Sequence, residues 1–364
     1  MRGPFYPLQA EAGATFVESD GWEVPAAYQS PGDELAALKA AVGLADLSGW
    51  GVLRLRGSAR LDFVQRLSTN NLLRLTPGQG APTIFTTPVG RIVDLAFLSV
   101  REDDLLLLVG RGADEVVAAW LRRHIFFNDD VLVENMTEQW GLMGLFGPFA
   151  ATVMGKLFGQ EGDQLLPFHT RAGQLQGVDV SLMRSVPLGQ GSLLLVQADQ
   201  AATLWALLAS AVHSAGGGLV GEMALETMRV GAGWPRFGRE LSEDYIPLEA
   251  GLKWAISFNK GCYVGQEVIA RMEAYGRLAK RLVVLGCEGE IDPAAELLAP
   301  GNAVWTEGAK VGQVTSVAPL ADQDVVKALA YVKTGMAEPG RELSVVGGEG
   351  ELPVRVLAVP GESA

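Results

Sequence analysis

The chain has 364 residues, a length that suits two or three domains. Apolar residues make up 48% and charged residues 20%, an ordinary globular balance that excludes extensive disorder. The 29 Lys and Arg against 42 Asp and Glu leave a net charge of −13; a surface that acidic repels phosphates, so direct nucleic-acid binding is not expected.

The first thirty residues are rich in Gly, Pro and aromatic residues and read as an extended arm. A helix follows, with Ser30 as cap, Pro31 at its first position, Asp33 and Glu34 at the positive end of the dipole, and Gly43 at its close. Trp50 to Arg56 reads as a strand and Ser58 to Leu67 as a helix. Thr83–Thr86, Ile92–Val100 and Leu105–Val109 read as strands separated by turn residues. Ala113–Phe126 carries Val116, Val117, Trp120 and Leu121 at the spacing of one helical face. A similar round comes next: strand Leu142–Phe146, turn Gly147-Pro148, helix Phe149–Leu157, strands Val178–Met183 and Leu193–Val196, and helix Ala198–Val212. Glu222–Val230 reads as a further helix ending in Gly231 and Gly233. After Leu278, short β-rich runs such as 281–285 and 325–332 alternate with Gly and Pro, the pattern of a small barrel or sandwich. The stretch 347–351 reads as a loop. The fold class is therefore α+β, with an N-terminal α+β region over 1–140, a second over 141–277, and an all-β region over 278–364.

Cys262 and Cys287 cannot build a disulfide framework and form no C-x-x-C pair. His124, His169 and His213 lie far apart, so no metal site is expected. The N-terminus has no apolar core of a signal peptide, and no apolar run reaches the roughly 18–20 residues that span a bilayer. The protein is expected to be soluble and cytoplasmic, with no membrane partner. No phosphate-binding loop, dinucleotide fingerprint or Ser/His/Asp context is present.

Three stretches are chemically distinctive. In 259–267, Cys262 lies between Gly261 and Gly265, glycines that permit a close backbone approach or positive φ. Lys260, with Arg271 if it folds back, would favour the thiolate; a buried structural thiol is the alternative. Gln266 and Glu267 then open a helix or strand. In 228–236, Arg229 and Arg236 surround a glycine turn beside Trp234, a setting for a flat anionic ligand or simply a helix end. The third pairs 46–50 with 90–94, where Asp94 stands in an apolar strand, facing either water or a cavity.

Lys260-Gly261-Cys262-Tyr263-Val264-Gly265-Gln266-Glu267 resembles the K-G-C-Y-x-G-Q-E signature of the YgfZ-type folate-binding proteins, relatives of the glycine cleavage T-protein (aminomethyltransferase). Asp46-Leu47-Ser48 resembles the early D-x-S segment of that superfamily, and 54–59 with Phe63 and Val64 its strand and following helix. Residues 90–94 resemble the strand bearing the T-protein's functional aspartate, and 228–233 its R-L-E-A-G turn. The resemblance implies a three-domain T-protein-like ring with a C-terminal β-barrel and tetrahydrofolate in a central cavity. It implies Trp50, Asp94 and Arg229 as folate-binding residues and Cys262 as the reactive residue, framed by Lys260, Gly261, Tyr263, Gly265, Gln266 and Glu267. Departures are Gln190, near the place of the T-protein's pterin-anchoring glutamate, and Leu225, where the YgfZ group carries a second tryptophan.

The function implied is tetrahydrofolate binding in support of iron–sulfur cluster assembly or repair, and indirectly of tRNA modification. Its partners would be iron–sulfur enzymes or their assembly factors. One cysteine cannot supply the four ligands a cluster usually takes, so Cys262 would act as a thiolate exchanging with a client. The alternative is a folate-dependent aminomethyltransferase-like enzyme passing a one-carbon unit to tetrahydrofolate, favoured by Asp94 and Arg229. A third option is an interaction scaffold without folate.

Overall fold

The strand Ile92–Val100 is buried at every one of its nine positions, and Leu105–Arg111 at all but one. Apolar residues at successive rather than alternate positions build strands covered on both faces. These two form part of a five-stranded sheet in the order Gly80–Thr86, Ile92–Val100, Leu105–Arg111, Trp50–Arg56, Leu132–Asn135. A six-stranded sheet runs Thr170–Leu175, Val178–Ser185, Gly191–Gln197, Trp140–Phe146, Gly43–Asp46, Gly218–Val220. Its last pair is parallel. This computed structural model describes residues 1–159, 165–185, 191–288, 297–322, 324–347 and 350–362.

The chain divides into two units. Met1–Thr83 with Asp94–Leu225 form the first, and Ile84–Val93 with Glu226–Ala364 the second. In the first, helix Asp114–Arg123 buries Val117, Trp120 and Leu121. Helix Ala201–Ser214 adds Leu204, Trp205, Leu208 and Val212 to a core built with Phe5, Leu145 and Leu194. In the second, strands Lys280–Glu288, Val325–Lys333, Ala309–Val317, Ala303–Thr306, Glu342–Gly347 and Gly350–Ala358 close a six-stranded barrel. Val283, Leu285, Val314, Val326, Ala328, Val345 and Val356 fill its interior. Two α/β sheets and a closed C-terminal barrel match the expected fold class.

Local expectations are corrected in several places. The first thirty residues are not an arm: they fold into helix Tyr6–Glu11 and the hairpin Thr15–Ser19/Trp22–Ala27. Asp20 and Gly21, both at positive φ, make its turn. Helix Pro31–Ala40 forms, but Ser30 gives it no side-chain cap. Buried Glu34 instead accepts the N–H groups of Tyr28, Gln29 and Gly221 at 2.6, 2.9 and 2.8 Å. Val116 is exposed rather than on the buried face. Strands Leu132–Asn135, Thr170–Leu175 and Gly218–Val220 add to the elements expected from the sequence. Gly347 and Gly350, expected in a loop, pair with each other at the ends of two barrel strands.

Candidate functional site

Asp94 is the third residue of strand Ile92–Val100 and has no solvent exposure. The backbone ladder to the neighbouring strand runs from Val100↔Leu105 to Phe97↔Leu108. Beyond that ladder the N–H of Gly110 donates to Asp94 Oδ2 at 2.8 Å. Asp94 Oδ1 is buried with no hydrogen-bond partner among the described residues. Burial penalises the charged carboxylate more than the backbone donors favour it, and the carboxyl is pushed up to about 7. Of the two settings expected for Asp94, the structure therefore takes the buried one. A carboxyl that changes charge near neutral pH can both give and take a proton.

Trp50 opens strand Trp50–Arg56 in the same unit and stacks on Phe97 at 6.3 Å between centroids. Phe97 in turn stacks on Phe168 at 5.6 Å. The early D-x-S segment is structural: Asp46 accepts from Ser48 N, Ser48 Oγ and Gln9 Nε2 at 2.8, 2.5 and 2.6 Å. Arg111, next to Gly110, is buried and held by Glu222 through both terminal nitrogens at 2.7 and 3.1 Å. Glu222 lies 111 residues away in the chain, so nothing local in the sequence signals the pair.

Arg229 and the glycine-flanked motif belong to the second unit. Arg229 grips Glu226 through Nε and Nη2 at 2.7 and 2.6 Å. Its Nη1 donates to Trp234 O at 2.6 Å and to fully buried Glu240 at 3.1 Å. Four of its five N–H donors are thus engaged. Glu240 also accepts from Ser316 Oγ at 2.7 Å and Arg236 N at 3.1 Å. The expected cluster of arginine and glycine is built around carboxylates, and Glu240 does not stand out in the sequence because its partners come from distant segments.

Cys262 is exposed and Cys287 buried. Lys260 is buried, and its ammonium lies 5.1 Å from the Tyr263 ring centroid. Burial lowers that ammonium to about 8 and raises the Tyr263 phenol to about 12. Gln266 and Glu267 begin helix Gln266–Tyr275, and Gln266 Oε1 accepts from Tyr263 N at 3.3 Å. Gly265 precedes that helix at φ +83°, where a Cβ would lie 2.6 Å from Thr87 O. Gly261 has open space around it and no positive φ, so only Gly265 has the conformational reason expected of both. Leu225 is buried. Gln190 lies outside the described residues.

Among the described residues, no group of three or more His, Cys, Asp or Glu could hold a metal ion, and no helix is long and apolar enough to cross a membrane.

Residues 5–260 match the GCVT N-terminal domain, and residues 280–360 the glycine cleavage T-protein C-terminal barrel domain. The aminomethyltransferase of Geobacillus thermodenitrificans is 34% identical over 350 residues, covering 94% of this chain and 93% of that protein. That of Geobacillus kaustophilus is 32% identical over 365 residues, covering 99% and 98%. The crystal structure of the glycine cleavage system aminomethyltransferase T from Bartonella henselae superposes with a TM-score of 0.84. It covers 100% of this chain and 98% of that one at 23% identity, a likeness of fold.

Proposed function

We propose that this chain, which belongs to the glycine cleavage T-protein family, is a folate-dependent one-carbon transferase of the aminomethyltransferase kind. The observation that carries the reading is Asp94: a fully buried carboxyl, titrating at about 7, with one oxygen bound by Gly110 N–H. Relatives named aminomethyltransferase that cover nearly the whole chain support it.

The chemistry needs a group that handles protons away from water. An amine accepting a one-carbon unit loses a proton as its new N–C bond forms, and an amine that departs gains one. Oδ2 of Asp94 is engaged by an N–H donor, so the carboxyl's proton resides on Oδ1. In this reading Oδ1 takes the proton from the accepting amine or delivers it to the departing one. At neutral pH both protonation states are populated, the condition for either role. Tetrahydrofolate enters as the substrate whose amine nitrogens take up the carbon, and buried Oδ1 fits an N–H donor of that kind. Trp50, half-buried beside Phe97, offers a ring edge or face to the substrate. Arg229, in the second unit, fixes Glu226 and Glu240.

A second reading rests on Cys262, which is exposed within a motif resembling that of the YgfZ-type proteins. An exposed thiol is reachable by a client, as support of iron–sulfur enzymes or their assembly factors would require. The two readings separate in one experiment. Tetrahydrofolate is titrated while intrinsic tryptophan fluorescence is followed, and the product is then sought with an aminomethyl donor, free or lipoyl-bound. Saturable binding with one-carbon transfer that Asp94→Asn abolishes and Cys262→Ala preserves supports the transferase. Binding without transfer, with client iron–sulfur activity lost in Cys262→Ala, supports the second reading.

A further inference from the structure

We propose that Gly265 is a positioning residue for Asp94: the turn at Gly265 clasps the hairpin 84–93 and so sets where the strand carrying Asp94 begins. The hairpin and the glycine-flanked motif pack in the same unit. Thr86 Oγ1 donates to Val264 O at 2.6 Å. A Cβ on Gly265 would stand 2.6 Å from Thr87 O, 2.8 Å from Thr86 Oγ1 and 3.0 Å from Gly90 Cα. On the other side, a Cβ on Gly90, itself at φ +74°, would stand 3.0 Å from Val268 Cβ on the helix that Gly265 starts. Two backbones meet here with no room for a side chain on either, which is the use of paired glycines at a close approach.

The clasp is rigid on the hairpin side as well. Thr87 N donates to Arg91 O at 2.8 Å, and Arg91 N to Thr87 Oγ1 at 3.1 Å, closing the turn. Arg91 Nη1 donates to Asp244 O at 2.8 Å and Ile92 N to Tyr245 O at 3.0 Å. Every one of these bonds ends two residues or more before Asp94. Further along, the strand is held by its neighbours: Gly110 N–H binds Asp94 itself, the ladder to Leu105–Arg111 starts at Phe97, and Gly80–Thr86 pairs on the other side. The clasp sets where the strand carrying Asp94 enters that sheet. Gly265 acts through Thr86 and Thr87 and touches no reacting atom.

The inference rests on the reading of Asp94 as the proton-handling group, but its test reads the carboxyl directly and needs no turnover. The Asp94 carboxyl is titrated by carbon NMR in selectively labelled full-length protein, with Asp94→Asn used to assign the signal. Thr86→Val removes the bond to Val264 and keeps the volume; Gly265→Ala adds the clashing Cβ. Loosening the clasp admits water to Asp94, so the expected result is a titration midpoint lower by about 0.5 pH or more in Thr86→Val, and lower still in Gly265→Ala. Should Gly265→Ala fail to fold, Thr86→Val decides alone. An unchanged midpoint in folded Thr86→Val overturns the inference. Absence of transfer activity in wild-type protein would overturn only the function proposed above.

Discussion

Replacing Asp94 by Asn should make the protein more stable, and more so at higher pH. The carboxyl titrates at about 7 in the folded chain against an ordinary value of 3.8. Below 3.8 both folded and unfolded chains hold the proton, and burying the group carries no ionisation cost. As pH rises, the unfolded chain ionises first, so stability is lost progressively until the folded carboxyl ionises near 7. The interval from 3.8 to about 7, at about 1.36 kcal/mol for each pH decade, amounts to about 4 kcal/mol at alkaline pH. Between pH 5 and pH 8 the part that changes is about 2–3 kcal/mol. Asn offers the same oxygen to Gly110 N–H and cannot ionise. Guanidinium unfolding of both proteins at the two pH values, followed by circular dichroism, isolates the contribution of Asp94 because every other titrating group cancels. The Asn variant's advantage should grow by about 2–3 kcal/mol from pH 5 to pH 8. An advantage that stays constant within about 0.5 kcal/mol would show that burial does not raise the Asp94 carboxyl and would refute the reasoning.

Three further outcomes follow from other parts of the molecule. Arg229→Met strips the guanidinium from fully buried Glu240 and should cost about 3–5 kcal/mol, read as a lower urea midpoint at unchanged slope. Gly57→Ala places a Cβ 2.0 Å from Asp130 O at a residue with φ +106°, and should cost about 1–3 kcal/mol in the same measurement. Iodoacetamide added to the folded protein should label exposed Cys262 well before buried Cys287, as mass spectrometry of peptides would show; equal labelling rates would contradict the burial of Cys287.

The parts legible in the sequence are those whose information is local. Ile92–Val100 declares itself because nearly every position is apolar, and Trp50–Arg56 because Val52, Leu53 and Leu55 make an apolar run; turn residues bound both. The β-rich C-terminal region follows from similar cues, whereas Gln266 and Glu267 read as opening either a helix or a strand and the structure makes it helix Gln266–Tyr275. The N-terminal hairpin is hidden because its breakers, Asp20 and Gly21, look locally like an end of structure when they turn one strand into the next. Gly218–Val220 is hidden because its strand character comes from pairing with Gly43–Asp46, far away in the chain. At the site the same division holds. Asp94 stands out as one carboxylate in an apolar strand, but whether it faces water or interior depends on Gly110 and the end of a ladder. Arg229 stands out by type, while its partner Glu240 is held by Ser316, 76 residues on. Gly261 and Gly265 look equivalent in the sequence, and only the neighbouring hairpin distinguishes them.

The measurement that tests the central claim most directly is single-turnover one-carbon transfer to tetrahydrofolate across pH 5 to 9, in wild-type protein and Asp94→Asn. The account predicts a wild-type rate that titrates near pH 7, and a variant that is slower by roughly 10²–10⁴-fold with that titration gone. A variant that keeps the wild-type rate and pH profile would contradict it.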